Sequence, residues 1–352
     1  MARIAHLDAD AFFYSVALQQ DPTLLGKAVI VASDSPRSVV STASYEARKR
    51  GVSSGMSVVR AKELVPGILF ARPDFESYRQ VSGQIWEIVS KQLGTLEQAG
   101  LDEAYADLTG KDNPVALLKQ TIKEVKQQTG IQLSAGLGPN RLVAKVASDA
   151  DKPQGFLVLS REQACRQFAK SSPGLIPGIG PKTQQALAQL GIHTLQRLSE
   201  CPEAMLSGQF SKRSINELKA KSRFYGSEEI QTVRTRKSRS AEETFAVDLT
   251  DPAKMESELR LLADRVSRDL QSRQQAGATV GIKVRLADWT SYTRDHTLQQ
   301  PTNDAQEILD VASGLMNASL PEGPVRLLGV RVGGLDRPES ITSIETQLKL
   351  FA

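Results

Sequence analysis

The sequence predicts a multidomain α+β protein, in which two small α+β parts lie on either side of a helical segment. From residue 3 to residue 159, short apolar runs with β-branched residues alternate with helical repeats. Residues 161–224 are predicted to be almost wholly helical, and residues 240–332 follow the order β-α-β-β-α-β. The length of 352 residues suggests about two to four domains.

The first α+β part is predicted to contain a ferredoxin-like sheet with a long insertion between Ala11 and Asp74. A buried strand at 3–7 precedes a helix at 11–20, which Asp21-Pro22 stops. Further strands are expected at 28–32, 38–43, 100–108, 131–138 and 155–159. Helices are expected at 45–50, 56–64, 75–93, 114–128 and 142–148.

The second α+β part is predicted to have strands at 240–247, 278–286, 291–298 and 325–332, and helices at 255–270 and 305–315. Basic residues on these strands could line a duplex backbone: Lys283, Arg285, Arg294, Arg326 and Arg331. The arginines of its first helix are mixed with acids, which is typical of a solvated face.

Composition points to an intracellular globular protein. Mean hydropathy is −0.28, no run reaches the roughly 18 apolar residues of a membrane span, and we expect no signal peptide. Cys165 and Cys201 are too few for a disulfide framework, which fits the reducing cytoplasm. The net charge of +4 favours a polyanionic partner.

Two acidic clusters are candidates for a catalytic centre. Asp102 and Glu103 are expected at a bend or at the end of a strand, and Asp8 follows the apolar run of the first strand. Adjacent buried carboxylates repel each other and need a countercharge. If the two strands are neighbours, these three residues share a metal site. Oxygen ligands with no Cys or His expected nearby favour Mg²⁺ or Mn²⁺, and two such ions about 4 Å apart promote phosphoryl transfer.

A structural role for each cluster alone stays open. Asp8 could cap the helix that begins near Ala11, and Asp102-Glu103 could lie in a solvated turn.

Two further segments indicate binding to DNA. Ile176-Pro177-Gly178-Ile179-Gly180-Pro181-Lys182-Thr183 has the pattern of a helix–hairpin–helix, whose backbone N–H groups meet a phosphate at the start of a helix. Arg234, Arg236, Lys237 and Arg239 form a run without acids, predicted to be a basic linker that touches phosphates. A helix turn and a solvated connector are the respective alternatives.

Five motifs in order resemble those of Y-family translesion DNA polymerases, most closely the bacterial DNA polymerase IV branch. They are residues 7–13 (LDADAFF), 41–48 (STASYEAR), 101–105 (LDEAY), 144–149 (AKVASD) with Lys152-Pro153, and 176–180 (IPGIG). The resemblance extends from Arg3 to about Gly334.

The resemblance implies a right-hand polymerase with four domains. Residues 1–10 and 75–166 would form the ferredoxin-like catalytic palm, 11–74 small fingers, and 167–233 a helical thumb containing the helix–hairpin–helix. Residues 234–239 would be the basic linker, 240–335 a βαββαβ little finger, and 336–352 a tail.

The resemblance also implies residue roles. Asp8, Asp102, Glu103 and the Ala9 carbonyl would hold two Mg²⁺ ions, with Mn²⁺ as a possible substitute. Phe13 would be the steric gate that excludes a ribose 2′-OH. The other residues expected to bind the dNTP are Phe12, Thr42, Tyr45, Arg48 and Lys152. Phe12 could instead be a core aromatic, and Tyr45 and Arg48 a simple packing pair.

Three positions depart from the family pattern. Gly100 stands where the family usually has serine, and Ala9 and Ala11 are smaller than in many relatives. These changes remove no metal ligand, so they bear on fidelity and rate.

The last residues resemble the peptide that docks bacterial polymerases on the sliding clamp. Gln347 and Leu348 precede Leu350 and Phe351, which would anchor in an apolar pocket. The expected partners are therefore primer–template DNA, a dNTP and the clamp, with no membrane, and the chain is expected to be a monomer.

Two other functions would each explain only some of these sequence features. A non-catalytic DNA-binding scaffold has no use for clustered acids against a polyanion. A palm-fold nucleotide cyclase would share the metal site but not the helix–hairpin–helix. No segment resembles a proofreading nuclease, so no exonuclease activity is expected.

Overall fold

The computed structural model describes residues 3–33, 35, 37–233, 236–319 and 322–335. These residues divide into two compact units. The first contains the described residues up to 232, except for 35, 37 and 38, which belong with the second unit.

The first unit contains eight strands and eleven helices among its described residues. The strands are β1 Ile4–Ala9, β2 Val29–Val31, β3 Thr42–Ala43, β4 Leu69–Ala71, β5 Leu96–Gln98, β6 Glu103–Asp107, β7 Leu133–Gly138 and β8 Phe156–Val158. The helices are α1 Phe12–Gln20, α2 Tyr45–Arg48, α3 Val58–Leu64, α4 Phe75–Leu93, α5 Pro114–Thr129, α6 Arg141–Ala150, α7 Arg161–Gln167, α8 Pro181–Gln189, α9 Leu195–Glu200, α10 Glu203–Leu206 and α11 Lys212–Ser222.

A five-stranded sheet with the order β5-β6-β1-β7-β8 forms the centre of this unit. The middle strand, β1, is buried along its whole length and pairs antiparallel with both β6 and β7. Helix α6 lies directly on β7 because Gly136 has no side chain: a Cβ there would be 2.1 Å from the Ala144 carbonyl oxygen. This close approach brings α6 beside the polar end of β1.

The predicted fingers and thumb segments contain their own apolar cores. A small core from Ile30 to Ile68 surrounds the three-stranded sheet β3-β2-β4. Helix α1 packs instead into the large core of the central sheet. A third core between Leu142 and Phe224 joins α6 to the short helices α7–α11.

The second unit has the predicted β-α-β-β-α-β order. Its elements are β9 Ser238–Leu249, α12 Pro252–Ser272, β10 Gly277–Leu286, β11 Ser291–Thr302, α13 Ala305–Ser319 and β12 Val325–Leu335. The strands form one sheet with the order β11-β10-β12-β9, and both helices contribute to the core beneath it.

Two local predictions were wrong. The continuous strand expected over 100–108 begins only at Glu103, because the N–H groups of Ala99 and Gly100 both donate to the Glu103 carbonyl and close a turn. The basic linker ends earlier than residue 239, since β9 already begins at Ser238. Strands β4 and β5 were not predicted, because Leu-Phe-Ala and Leu-Glu-Gln contain none of the β-branched residues that mark the equally short β2 and β8.

In the described part of the chain, no helix combines the length and apolar character of a membrane span.

Candidate active site

The register between β1 and β6 assembles the three predicted carboxylates. Asp8 is paired directly with Glu103 across the two strands. Asp102 lies in the turn just before β6, and its carbonyl accepts the Ala9 N–H at 2.8 Å. The prediction that the acidic segments are neighbours in one sheet is confirmed.

The turn that carries Asp102 is fixed from below by helix α4. Ser82 Oγ and Trp86 Nε1 both donate to the Leu101 carbonyl, at 2.6 and 3.0 Å. Gly100 leaves room for the carboxylate, since a Cβ there would be 3.2 Å from Asp102 Oδ1. A larger residue at position 100 would therefore shift Asp102 by a few tenths of an ångström.

Two lysines neutralise part of the acidic cluster. Lys145 Nζ on α6 lies 3.1 Å from Asp8 and 2.8 Å from Glu103. Lys152 Nζ lies 2.7 Å from the other oxygen of Asp8, and both lysines also pair with Asp149. Neither Lys145 nor Asp149 was predicted to be a site residue, although both stand in the 144–149 motif.

His6, also missed from the sequence, is completely buried beside Glu103. Its Nδ1 lies 2.7 Å from Ser148 Oγ, and its Nε2 lies 3.3 Å from Glu103 Oε2, outside good hydrogen-bond geometry. Potential ligand atoms of His6, Asp8 and Glu103 fall within 4.8 Å of one another. The expectation that no histidine lies near the acids was therefore wrong. Because both ring nitrogens face protein groups, we interpret His6 as a support for Glu103.

The pKa values of the adjacent carboxyl groups of Asp102 and Glu103 are shifted in opposite directions by their surroundings. Burial, with the charges of Asp8 and Glu103, raises the pKa of Asp102 to about 6. The close approach of His6 Nε2, together with the hydrogen bond and the positive charge of Lys145, lowers the pKa of Glu103 to about 2. The negative charges of Asp8 and Glu103 disfavour ionisation of the partly buried Asp102. A bound cation would relieve this repulsion. The donor set therefore fits a hard metal ion as an acidic metal-binding cluster.

A cavity of about 190 Å³ opens on this cluster and collects the predicted nucleotide-binding residues from three separate segments. Its lining includes Asp8, Ala9, Phe12, Phe13, Thr42, Tyr45, Arg48, Asp102 and Lys152. Ser41, Ser54 and Ala11 complete the wall and were not among the predicted residues. Ala11 has left-handed backbone angles (φ 45°, ψ 48°), uncommon for a non-glycine residue, at the sharp turn from β1 into α1.

The basic end of the cavity is organised around Arg48. Its Nε donates to the Ala43 carbonyl at 2.9 Å, and its Nη2 donates to Thr42 Oγ1 at 3.2 Å. The guanidinium carbon lies 5.0 Å from the centre of the Tyr45 ring. The packing pair that the sequence left open is therefore present, and it holds Arg48 at the cavity wall.

Asp10 was not predicted as a site residue, yet it ties three of these segments together. Its carboxylate accepts from Ser134 Oγ at 2.7 Å and from the Gln154 N–H at 2.7 Å. It also lies 3.3 Å from the Tyr45 hydroxyl. The contact to Gln154 anchors the loop that carries Lys152.

The two predicted aromatic residues differ in burial. Phe13 is partly buried, and its ring stacks on the buried Tyr78 with centroids 4.2 Å apart and planes 12° apart. Phe12 is 2% exposed and packs in the core, so its role at the nucleotide stays a prediction. Stacking on Tyr78 therefore fixes the Phe13 ring in the wall of the cavity.

The predicted hairpin residues lie at the start of α8. Gly178 has φ of 92°, Gly180 is the N-cap of α8, and Lys182 is exposed. The Ile179 side chain is 4% exposed and belongs to the core. Only its backbone is therefore available to a phosphate.

The residues of the predicted basic linker differ in their surroundings. Arg234 lies outside the described residues, Arg236 is partly buried and Lys237 is exposed. The DNA-binding role predicted for Arg239 was wrong. This side chain is 3% exposed, donates to Gln275 Oε1 at 3.0 and 3.2 Å, and lies 3.4 Å from Asp269. Arg239 lies in β9, and its contacts with Gln275 and Asp269 hold its side chain in the interior of the unit, away from solvent.

Two of the basic residues on the second sheet are paired with acids. Lys283 lies 2.7 Å from Glu242, and Arg331 lies 3.2 Å from Asp295. The predicted clamp-binding residues Gln347, Leu348, Leu350 and Phe351 lie outside the described residues.

Comparison with known proteins identifies the family of this chain. Residues 7–149 match the model of the impB/mucB/samB family, and residues 236–348 match the model of the C-terminal domain of that family. The chain is 37% identical over 360 residues to a DNA polymerase IV from Methanoculleus marisnigri, covering 96% of this chain and 97% of the relative. It is 36% identical over 346 residues to DNA polymerase IV 2 from Agrobacterium fabrum, covering 95% of each chain.

A solved structure shares the fold. A Y-family DNA polymerase chimera superposes with a TM-score of 0.83 over 95% of this chain and 99% of its own, at 23% identity. An α+β fold of this kind with a carboxylate cluster at the end of β1 is suited to metal-dependent phosphoryl transfer, the chemistry that polymerases use. The chain belongs to the impB/mucB/samB family of Y-family DNA polymerases, and its relatives place it in the DNA polymerase IV branch. As a member of that family it is a DNA-directed DNA polymerase of the translesion type.

Proposed function

We propose that this chain extends a DNA primer by two-metal nucleotidyl transfer at the Asp8–Asp102–Glu103 cluster. The primer 3′-oxygen attacks the α-phosphate of a dNTP, a new phosphodiester bond forms, and pyrophosphate leaves. The observation that carries the proposal is the β1–β6 register, which pairs Glu103 with Asp8, a residue of the cavity wall.

Asp8, Asp102, Glu103 and the Ala9 carbonyl would hold two Mg²⁺ ions, for which Mn²⁺ can substitute. Such ions activate the attacking oxygen and stabilise the leaving oxygen of the displacement. Oxygen donors suit these cations, and the raised pKa of Asp102 reflects its burial together with the nearby negative charges of Asp8 and Glu103.

The rest of the cavity would orient the nucleotide. Arg48 offers a planar fork of N–H donors suited to phosphate oxygens, and Thr42, Tyr45 and Lys152 lie along the same wall. Phe13 would exclude a ribose 2′-OH, because its ring is fixed by stacking on Tyr78.

The proposed partners extend beyond the nucleotide. Primer–template DNA would contact the N–H groups at residues 178–180, the Lys182 side chain and the basic residues 234, 236 and 237. Residues 347–351 would dock on a sliding clamp. We propose that the polymerase acts as a monomer in the cytoplasm, with low fidelity and without proofreading.

Primer extension on undamaged template tests the reaction directly. Wild type with Mg²⁺ and four dNTPs should extend the primer, Asp102→Ala should not, and the exposed Asp112→Ala should match wild type. Tight binding of DNA by wild type with no extension in Mg²⁺ or Mn²⁺ would instead favour the scaffold. Removal of a 3′-mismatch would refute the absence of proofreading.

Deletion of residues 347–352 tests the clamp peptide. Synthesis stimulated by the clamp should fall, while synthesis without the clamp should persist. Equal loss of both would contradict a docking role.

A further inference from the structure

An exposed tryptophan closes the hairpin between β10 and β11 in the second unit. Trp289 is 62% exposed, although large aromatic side chains are normally buried. Its backbone φ of 72° is left-handed, which is an outlier for a bulky residue. Three hydrogen bonds hold the turn: Trp289 N–H to the Leu286 carbonyl, Leu286 N–H to the Thr290 carbonyl, and Thr290 N–H to Asp288 Oδ1. The fold thus holds the Trp289 indole in solvent on an unfavourable backbone conformation.

Two arginines from neighbouring strands flank this ring. The guanidinium carbon of Arg326 lies 4.4 Å from the ring centre, and that of Arg285 lies 5.6 Å from it. Arg285 Nε also donates to Ser291 Oγ at 2.9 Å. Among the described residues neither arginine forms a salt bridge, in contrast to Lys283 and Arg331 on the same sheet.

Two acids lie close to this group but are already engaged. Asp288 accepts the Thr290 N–H, and Asp248 lies 2.5 Å from Arg37. Both acids keep their negative charges, but they are outnumbered by the guanidinium groups of Arg37, Arg285 and Arg326. The exposed planar ring therefore has an excess of positive charge around it.

This combination matches the chemistry of an unpaired nucleobase with its phosphate. A free base can stack on an aromatic ring, and nearby arginines attract the phosphate oxygens. Bases inside a duplex are already stacked on each other and cannot use the ring. Stacking depends little on base identity, which suits an enzyme that meets altered templates. A protein partner would call for a wider apolar patch, whereas the ring here is rimmed by charged and hydroxyl side chains.

We propose that Trp289, Arg285 and Arg326 form a stacking platform for the single-stranded template beyond the primer terminus. The inference rests on the proposed function, because it requires that the chain bind a primer–template with an unpaired 5′ extension.

Intrinsic fluorescence tests the platform directly, because the chain contains two tryptophans and Trp86 is fully buried. The signal of wild type minus that of Trp289→Phe reports Trp289 alone. This signal should be quenched by a primer–template with a 5′ extension and by oligo(dT). It should change little with a blunt duplex of the same paired length.

Binding of the same DNAs gives a second measurement. Trp289→Ala should weaken affinity for the extended primer–template on the order of tenfold and leave affinity for the blunt duplex unchanged. Trp289→Phe should keep most of the affinity. Val247→Ala, which alters another exposed apolar side chain of this unit, should match wild type.

The fluorescence and binding results, read beside primer extension, distinguish failure of the stacking platform from failure of the proposed polymerase function. Absence of Trp289 quenching, or equal weakening for blunt and extended DNA, would overturn the platform. If wild type still extends primers in that case, the polymerase function stands. If wild type extends no primer, the proposed function fails instead.

Discussion

Asp102→Asn should make the metal-free protein more stable while abolishing primer extension. The pKa of Asp102 is raised from 3.8 to about 6 by burial and by the charges of Asp8 and Glu103. At about 1.4 kcal/mol per pKa unit, the ionised carboxyl carries a cost of about 3 kcal/mol in the folded state. Asparagine removes the charge but stays partly desolvated, so we expect a net gain of about 1–2 kcal/mol at pH 8.

The sign of the pH dependence follows from the raised pKa. Between pH 3.8 and about 6 the folded state binds more protons at Asp102 than the unfolded state does. Wild type should therefore lose stability from this group as the pH rises through that range. The advantage of Asp102→Asn should grow over the same range and vanish below it, where both states are protonated.

Urea denaturation in EDTA at several pH values, followed through the buried Trp86, measures this difference. Asp112→Asn provides a matched control, because Asp112 is exposed and the same charge is removed. Its effect should stay within about 0.5 kcal/mol of wild type. An Asp102→Asn protein that is no more stable than wild type at pH 8 would refute the reasoning about charge repulsion.

Three further substitutions give separate tests. Phe13→Ala should raise the ratio of ribonucleotide to deoxynucleotide incorporation by at least about tenfold, measured as kcat/KM for each; an unchanged ratio would rule out the gate. Arg239→Ala should destabilise the second unit by about 3 kcal/mol in thermal or urea unfolding, because it leaves a buried network unpaired. Lys237→Ala should leave stability unchanged, and equal stabilities of the two variants would count against the buried role. His6→Gln, which keeps a polar group at the Nε2 position beside Glu103, should need less Mg²⁺ for half-maximal extension than His6→Asn; the reverse order would show that the contact to Ser148 matters more.

Most of the fold could be predicted because periodicity alone identifies long elements. Helix α4 was predicted with the bounds Phe75–Leu93 that the structure shows, since its apolar positions recur at helical spacing. Strands β4 and β5 were missed because, unlike the equally short β2 and β8, they contain no β-branched residue. The strand through Gly100 was wrong because alternation cannot reveal a turn closed by hydrogen bonds to Glu103.

Site residues could be predicted where their own side chains carry the chemistry. They could not be predicted where the role of a side chain depends on a partner far away in the sequence. Asp8, Asp102 and Glu103 stand in recognisable acidic motifs, whereas His6 reads as one more residue of a buried strand. Arg239 lies in a basic run, but its actual partners, Asp269 and Gln275, are far along the chain. A charge run in sequence therefore cannot distinguish a solvent-facing side chain from one that a later helix buries.

In the proposed reaction, the two lysines of the cluster would connect cation binding with nucleotide binding. Lys145 is partly buried among three carboxylates, whose charges outweigh the effect of burial and raise its pKa, so it stays a fixed positive charge. Lys152 instead lies on a loop held by Asp10 and lines the cavity while paired with Asp8 and Asp149. Its ammonium group would turn to the triphosphate of the proposed substrate only when another positive charge compensates Asp8. Lys152 would then contribute to the nucleotide site in proportion to the occupancy of the carboxylate cluster, so that the two binding events favour each other.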